Sequence, residues 1–367
     1  MNIFEVGGAV RDSLLGLAVQ DRDFVVVGAT PEQMIAAGYL PVGADFPVFL
    51  HPQTHHEYAL ARTERKTAPG YKGFVFHTDP TVTLEQDLGR RDLTVNAMAR
   101  DPGSGELIDP FGGRADLEAR ILRHVGEAFT EDPVRILRVA RFAARFAQHG
   151  FRVADGTMVL MTQMVAAGEA DHLVPERVWQ EISRGLMETT PSVMFQILRD
   201  CGALERIAPE LQQIGSHALA LLDGKCTDTV STRYAILVHA LAQPAIEKLN
   251  KRLRVPGDCA DLALLTRRWH DPIAHAAGLT AEDLLELLAA TDAIRRPARF
   301  NEVVNCSRCL HALPGEAFPP GEFLATAIKA IASLDYQNIV DAGIDIPQRI
   351  RQRRLDALHD FLHKEQT

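Results

Sequence analysis

The feature that most constrains this chain is a change of pattern near residue 132. Before it, apolar runs such as FVVVG (24–28) and the mixed run EYALAR (57–62) alternate with Gly/Pro turns and short helical patterns, the mark of an α/β arrangement. From Asp132 onward the strand signals largely disappear. Helical patterns follow one another instead: PVRILRVARFAARF, VPERVWQEISRGLM, PSVMFQILRDCGAL and AEDLLELLAATDAI. A chain split in this way reads as an α/β head on an all-α body. The expected divisions are a head over 1–130, a helical neck and body over 131–210, and a helical tail over 211–367. The stretch ARTERKTAPGYKGF (61–74) is polar, basic and interrupted by Gly and Pro, so it reads as a mobile loop rather than an element.

Length and composition set the outer limits. With 367 residues, 46% hydrophobic and 24% charged, the chain has room for two or more domains around sizeable cores. No stretch is apolar and long enough to span a bilayer. The start, MNIFEVGGAVRD, lacks the basic, apolar and cleavage regions of a signal peptide, so a cytoplasmic location is expected. All five cysteines lie in the second half, and an odd number without framework spacing suits a reducing compartment. Cys306 and Cys309 form a single CxxC and read as ordinary buried or helical thiols, not a zinc site. The net charge of −9 weighs against a nucleic-acid partner only if charge is spread evenly. It is not. Residues 133–152 hold Arg135, Arg138, Arg141, Arg145 and Arg152 without one Asp or Glu. That basic island is either a solvated helix face or an anion site.

Gly7 and Gly8 follow the apolar start IFEV and precede VRDSLLGL, which has helical spacing. A glycine turn feeding a helix N-terminus offers backbone N–H groups and a positive dipole end to a phosphate, and Arg11 stands in the first helical turn. Taken alone, this pattern is as often a plain tight turn. Asp21 and Asp23 add to it. Two residues apart in an extended chain, they face the same space, where two carboxylates repel each other unless a divalent cation lies between them. Hard oxygen ligands of this kind suit Mg2+ in a metal-assisted phosphoryl-type transfer. A lone DxD is more often a solvated turn, but a phosphate-binding turn ahead of it reverses that preference. Glu57 is either a third carboxylate from a neighbouring strand or a surface residue.

These residues carry a family resemblance. GGAVRDSLLG followed by DRDFVVVG resembles the first motif of the class II tRNA nucleotidyltransferases, the bacterial CCA-adding enzymes of the polymerase β superfamily. The resemblance continues in order through LEQDLGRRDLTVNAMA (84–99), DPFGGRADLEARILRHV (109–125), EDPVRILRVARFAARF (131–146) and DHLVPERVWQEISRGL (171–186). Together these cover roughly the first 210 residues, and ordered motifs are more specific than any single one. The resemblance implies a polymerase β-like nucleotidyltransferase head followed by an all-α neck, body and tail. It implies an RNA-binding enzyme that adds C, C and A to the tRNA 3′ end from CTP and ATP, without a template and with Mg2+. Asp21 and Asp23 would bind the catalytic metal, Gly8 and Arg11 would contact the triphosphate, and Arg91 and Asp92 would read the sugar. The stretch 61–74 resembles the family's flexible loop, which helps the site switch from C to A.

Asp132 followed by Pro133 predicts a helix start, with Asp132 as N-cap. On that helix Arg135, Arg138, Arg141 and Arg145 fall within about 120° of arc. Cytosine and adenine each present an exocyclic amine beside an unprotonated ring nitrogen. A carboxylate can accept from the amine while a guanidinium donates to the ring nitrogen. Uracil and guanine place a carbonyl and a ring N–H there, so like would face like, and a hydrogen-bonding site rejects such mismatches. The resemblance assigns this base selection to Asp132 and Arg135, with Arg138 and Arg141 nearer the phosphates and sugar.

In the second half, relatives by motif carry a metal-dependent phosphohydrolase module marked by a His-Asp dipeptide. The matching run here is STRYAILVHALA (231–242), where the dipeptide reads His239–Ala240. His217 resembles another ligand of that module, and the stretch before KRLRVP (251–256) is too short for its His-rich loop. His270–Asp271 stands elsewhere and reads as a surface pair at a helix end. A site missing its bridging carboxylate and half its ligands should not hold metal, so phosphatase and phosphodiesterase activity are expected to be absent. Basic groups farther on (Arg295, Arg296, Arg299, Arg349, Arg351, Arg353, Arg354) fit either phosphate contacts or solvated helix ends. Two rivals share parts of the pattern. A bacterial poly(A) polymerase shares the head motifs, but this chain has no long basic C-terminal extension and keeps the VVVG strand and the loop. A catalytically silent RNA-binding module is opposed by the intact Asp21/Asp23 pair.

Overall fold

The computed structural model describes residues 1–42, 48–66, 74–77, 79–224, 226–313, 315–334 and 346–365. They divide into two units, Met1–Gln212 and Gln213–Thr367. Among the described residues, no helix is long and apolar enough to cross a membrane.

The first unit is built on a mixed sheet. Its strands are β1 (Asn2–Val6), β2 (Asp23–Val27), β3 (Leu40–Val42), β4 (Val48–Leu50) and β5 (Glu57–Leu60), and a separate pair is formed by β6 (Thr63–Lys66) and β7 (Phe74–His77). With β8 (Ala99–Arg100) and β9 (Leu107–Ile108), the large sheet runs in the order β3-β4-β5-β2-β1-β8-β9. β2 lies at its centre, and FVVVG is continuously apolar because both faces are covered. Val25 packs with Val6, Leu88, Ala97 and Ala99 on one side. Phe24 and Val26 pack with Met34, Phe49, Tyr58 and Leu60 on the other. Phe24 stacks on Tyr58 with ring centroids 4.5 Å apart, in a parallel register that sets Asp23 beside Glu57.

The stretch 61–74 differs from the expected loop at both ends. β6 and β7 form an antiparallel ladder from Thr63↔His77 to Lys66↔Phe74. The β-favouring run FVFH supplies the partner strand that the basic composition of TERK conceals. The intervening positions 67–73, which belong to the proposed C-to-A switching loop, lie outside the described residues.

Helices α1 (Gly8–Leu14), α2 (Pro31–Ala36), α3 (Leu84–Gly89) and α4 (Gly113–Glu118) complete the head. A capping box of Thr83 and Gln86 starts α3, which ends directly on Arg90–Asp92. A 3-10 turn over Thr94–Asn96 follows. A Cβ on Gly113 would lie 2.3 Å from the carbonyl oxygen of Thr94, so only glycine lets α4 seat against this turn. Thr94 Oγ1 donates to Asp116 at 2.7 Å and pins the same segment from its side chain.

The helical part of this unit comprises α5 (Val134–Phe146), α6 (Asp155–Ala166), α7 (Pro175–Leu186), α8 (Pro191–Asp200) and α9 (Ala203–Ile207). Short strands β10 (Ile121–Leu122) and β11 (Arg152–Val153) pair in parallel. α5 packs on α7 and α8, and eleven of its thirteen residues are buried. Its apolar side (Ile136, Leu137, Val139, Ala140, Ala143, Ala144) is core.

The second unit is helical throughout its described residues: α10 (Ser216–Asp223), α11 (Val230–Val238), α12 (Gln243–Leu253), α13 (Gly257–Ala274), α14 (Ala281–Ala290), α15 (Pro297–His311), α16 (Pro319–Ala332) and α17 (Ile346–Glu365). α11, α13 and α15 pack together around buried Tyr234, Ile236, Leu262, Val303 and Cys306. Tyr234, buried by its ring, satisfies its hydroxyl on Asn250 Oδ1 at 2.6 Å.

Candidate functional site

A cleft of about 730 Å3 in the first unit is lined by nine arginines and four aspartates. It gathers Gly8, Arg11, Asp21, Asp23, Arg91, Asp92, Asp132, Arg135, Arg138 and Arg141 into one space. These residues come from four separate stretches of sequence, so the fold itself assembles the site.

β1 ends at Gly7, whose φ is +70°. A Cβ there would lie 2.8 Å from a terminal nitrogen of Arg91, so both the left-handed backbone and the close approach require glycine. α1 begins at Gly8, and its first N–H groups have no intrahelical partner. Arg11 is 2% exposed. Its Nε donates to Asp12 at 2.8 Å, its Nη1 donates to Asn96 Oδ1, and its guanidinium sits 4.9 Å from the Phe146 ring centroid. Burial lowers its pKa, with Asp12 opposing. The other oxygen of Asp12 accepts from Arg145 at 2.8 Å.

Asp21 and Asp23 line the same cleft. Removal from water raises the Asp23 pKa, Arg91 opposes that rise and Asp21 adds to it. A cation near the pair would relieve both pressures. Among the described residues, no three His, Cys, Asp or Glu side chains are arranged to hold a metal. Glu57, although in register with Asp23, is exposed and is not among the residues that line the cleft.

Asp92 is held on every side. Its Oδ1 accepts from Leu93 N–H at 2.8 Å and from Asn96 Nδ2 at 2.9 Å. Its Oδ2 accepts from Arg138 Nε at 2.7 Å. Burial would raise its pKa, but Arg138, Asn96 and Leu93 N–H outweigh burial and hold it well below the usual carboxylate range. Asp92 in turn raises the pKa of Arg138. Arg91 reaches Asp87 at 3.3 Å and the Asn96 carbonyl at 3.4 Å. Its Nε is buried with no hydrogen-bond partner among the described residues.

α5 opens at Val134, one residue later than expected, with Pro133 at the cap position. Asp132 still accepts the Val134 N–H at 3.1 Å. It also takes a two-pronged contact from Arg177, at 3.1 Å to Oδ1 and 2.7 Å to Oδ2. Arg135 donates to the carbonyls of Ala128 at 2.8 Å and Arg90 at 2.6 Å. Arg141 pairs with Glu181 at 2.7 Å and Glu188 at 3.3 Å. Arg135 and Arg141 are each 7% exposed, which rules out the solvated-face alternative for these two, and Arg138 and Arg145 are half-buried. The arginines face the cleft. Arg177 and Glu181 were not singled out by the sequence reading. Their signal is the spacing in PERVWQEISR, where Arg177, Glu181 and Arg184 recur at helical intervals on the polar face of α7.

In the second unit, His217 is exposed on α10 and His239 is half-buried just after α11. His239 Nδ1 lies 2.7 Å from the Ile236 carbonyl oxygen, and burial lowers its pKa. The expectation of a surface pair at 270–271 is corrected in part. Asp271 is exposed near the end of α13, but His270 is half-buried with its ring 5.5 Å from that of His239. His270 Nδ1 is 3.0 Å from His311 Nε2, and burial pulls the His270 pKa down to about 4. Packing of α11 on α13 brings these histidines together across thirty positions of sequence, beyond the reach of any local pattern.

The sequence matches two described families over parts of its length: Poly A polymerase head domain at residues 3–123, and Probable RNA and SrmB- binding site of polymerase A at residues 150–214. Full-length relatives include the multifunctional CCA protein of Janthinobacterium sp. (strain Marseille), 50% identical over 100% of this chain and 99% of the relative. Another is that of Laribacter hongkongensis (strain HLHK9), 51% identical over 98% of each. The alignment with the first runs to 414 positions against 367 residues here, so it contains stretches with no counterpart in this chain. The fold matches the Bacillus stearothermophilus CCA-adding enzyme in complex with CTP at a TM-score of 0.73, with 24% identity over 98% of this chain and 89% of that one. It also matches the Thermotoga maritima CCA-adding enzyme complexed with tRNA, at a TM-score of 0.66 and 20% identity over 99% and 91%.

The Asp92–Arg138 contact generates a measurable expectation. In a double-mutant cycle of Asp92→Asn and Arg138→Gln, read by urea unfolding at neutral pH, the coupling should be on the order of 1–3 kcal/mol. Because the folded-state pKa of Asp92 is lowered, this contribution is complete above the ordinary carboxylate range and is lost as pH falls through the lowered value. Additive effects at neutral pH would remove Asp92 as the anchor of the cleft.

Proposed function

The chain belongs to the class II CCA-adding tRNA nucleotidyltransferases, and from that premise we propose how its cleft adds C, C and A to a tRNA 3′ end from CTP and ATP, in synthesis and in repair. The single observation that carries this reading is that Asp21 and Asp23 share one cleft with Asp132 and the arginine row of α5. A carboxylate pair for the transfer and a carboxylate–guanidinium edge for the base thus meet in one space. Full-length identity to multifunctional CCA proteins favours this activity over poly(A) polymerase, with which the head domain is shared.

The Asp21/Asp23 pair fits Mg2+, which is commonly held by one or two carboxylates together with water and substrate phosphate oxygens. Bound there, Mg2+ would make the RNA 3′-hydroxyl a better nucleophile and offset charge on the triphosphate. The chain's own residues do the positioning. Gly8 N–H and Arg11 face the triphosphate, and Arg91 and Asp92, which line the same cleft, read the sugar. Asp92 keeps Arg138 oriented, and Arg138 and Arg141 supply positive charge along the path of the leaving pyrophosphate. The 3′-hydroxyl oxygen bonds to the α-phosphorus as the bond to pyrophosphate breaks.

Asp132 and Arg135 choose the base without a template. Asp132 Oδ2 accepts one hydrogen bond, from Arg177, and a carboxylate oxygen has room for a second, here from the exocyclic amine of C or A. Arg135 donates to the ring nitrogen beside it. Residues 1–130 carry the transfer chemistry, 131–210 the nucleotide choice and RNA contact, and 211–367 the grip on the rest of the tRNA. The five free thiols suit a cytoplasmic setting.

The second half keeps helical packing but no phosphohydrolase. Ala240 offers no ligand atom where the His-Asp dipeptide would place its carboxylate. His239 engages the Ile236 carbonyl, and His270 is hydrogen-bonded to His311, so these imidazoles satisfy one another and the backbone.

Two experiments test these roles. With tRNA lacking its 3′ end, Mg2+ and CTP or ATP, Asp21→Ala and Asp23→Ala should each lower turnover by at least about 10³-fold. Thermal stability should hardly change, since each removes one of two repelling charges. Near-normal turnover in either variant would sink the metal assignment. Incubation with Ni2+, Mn2+ or Mg2+ and a 2′,3′-cyclic nucleotide should show no ring opening above a heat-killed control. Turnover that disappears in His217→Ala, His239→Ala or His270→Ala would overturn the loss of hydrolase function.

A further inference from the structure

The second unit contains a sulfur pair that nucleotidyl transfer does not use. Cys226 precedes α11 and Cys309 lies near the end of α15. Cys309 Sγ donates to the carbonyl oxygen of Cys226 at 3.0 Å, which sets the Cys309 sulfur beside Cys226. Arg308 Nη2 lies 3.3 Å from the Cys226 carbonyl oxygen and 3.9 Å from Cys309 Sγ. A second guanidinium, Arg233, is fixed nearby through Nε to the Thr227 carbonyl at 2.9 Å. Of the five thiols, only Cys226 is half-buried; Cys201, Cys259, Cys306 and Cys309 are buried.

Two guanidinium groups near a half-buried thiol favour its thiolate. The Cys309 side chain, and then the charges of Arg233 and Arg308 against the cost of partial burial, lower the Cys226 pKa. The same contact and burial raise that of Cys309. Thiolate character and access together decide which thiol reacts. The neighbouring Cys306 is fully buried and its sulfur faces the Thr232 carbonyl oxygen at 3.9 Å, so the CxxC spacing is not the functional pair. The partner comes from across the unit.

We propose that Cys226 and Cys309 form a reversible dithiol/disulfide pair, with Cys226 the nucleophile toward hydroperoxides and Cys309 the resolving thiol. The Cys226 thiolate attacks one peroxide oxygen. The O–O bond breaks, and the departing oxygen leaves as water or an alcohol after taking up a proton. Cys226 is then a sulfenic acid. Cys309 sulfur attacks Cys226 Sγ, its proton goes to the departing hydroxyl, and water leaves. The two thiols together lose two electrons, and the peroxide gains them. A dithiol reductant reverses the bond by exchange. The disulfide staples the segment before α11 to the end of α15, and it is independent of the transfer roles proposed above.

The test uses the reduced full-length chain, treated with equimolar hydrogen peroxide, blocked with an alkylating agent and digested with trypsin. Cleavage after Arg308 separates Cys306 from Cys309. The expected product is the Cys226 peptide linked to the Cys309 peptide, and dithiothreitol should release it. In Cys309→Ser, Cys226 should be captured as a sulfenic acid by dimedone. In Arg308→Leu, which also removes that tryptic site, the rate of free-thiol loss to peroxide should fall several-fold. Recovery of both peptides separately alkylated from the wild-type chain would overturn the proposal, and so would linkage of Cys226 to Cys306.

Discussion

The first unit depends on how four buried or half-buried guanidinium groups on one face of α5 are satisfied. Arginine does not shed its proton in a protein, so a buried row must be met by carboxylates or carbonyls or it will not stay buried. Each residue of the row is met from a different place. Arg135 reaches the carbonyls of Ala128 and Arg90, Arg138 the carboxylate of Asp92, Arg141 the pair Glu181 and Glu188, and Arg145 the carboxylate of Asp12. Asp12 sits beside Arg11 at the glycine turn, and Asp92 closes the RRD segment. Through these contacts α5 fixes the glycine turn, the RRD segment and its own Asp132 start relative to one another. Donors held this firmly need little reorganisation when an anion arrives.

That arrangement also resolves the conflict between the chain's total charge and its chemistry. The protein carries −9 overall, yet its cleft has nine arginines to four aspartates. Net charge governs solubility and long-range behaviour, while the local field governs what a pocket holds. Partial pairing matters as much as the excess. The carboxylates of Asp12, Asp92, Glu181 and Glu188 keep the guanidinium groups apart and aimed, and they leave a positive surplus in the cleft.

The parts of the site legible in the sequence were the local ones. Gly7–Gly8, the Asp21/Asp23 spacing, the Asp132–Pro133 start and the arginine period each lie within a dozen residues, where helix and strand geometry relate position to direction. The pairings were not legible. Arg177 meets Asp132 across 45 residues, Glu181 meets Arg141 across 40 and Arg145 meets Asp12 across 133. No periodicity reports such distances. The same limit hid the approach of His270 to His239 and of Cys309 to Cys226. One local reading that gave way, the loop over 61–74, did so because a basic, Gly/Pro-containing composition masked strand ends at Thr63–Lys66 and Phe74–His77.

The central claim is that a carboxylate fixed at the start of α5 replaces a template in choosing the incoming base. The direct measurement is relative kcat/KM for CTP, ATP, UTP and GTP in wild type and Asp132→Ala, with sequencing of product ends and a melting curve for each protein. The account predicts that discrimination against UTP and GTP falls by about 1–3 kcal/mol, more than overall turnover falls. A variant that kept its full preference for CTP and ATP and only melted earlier would reduce Asp132 to a helix cap and contradict the account.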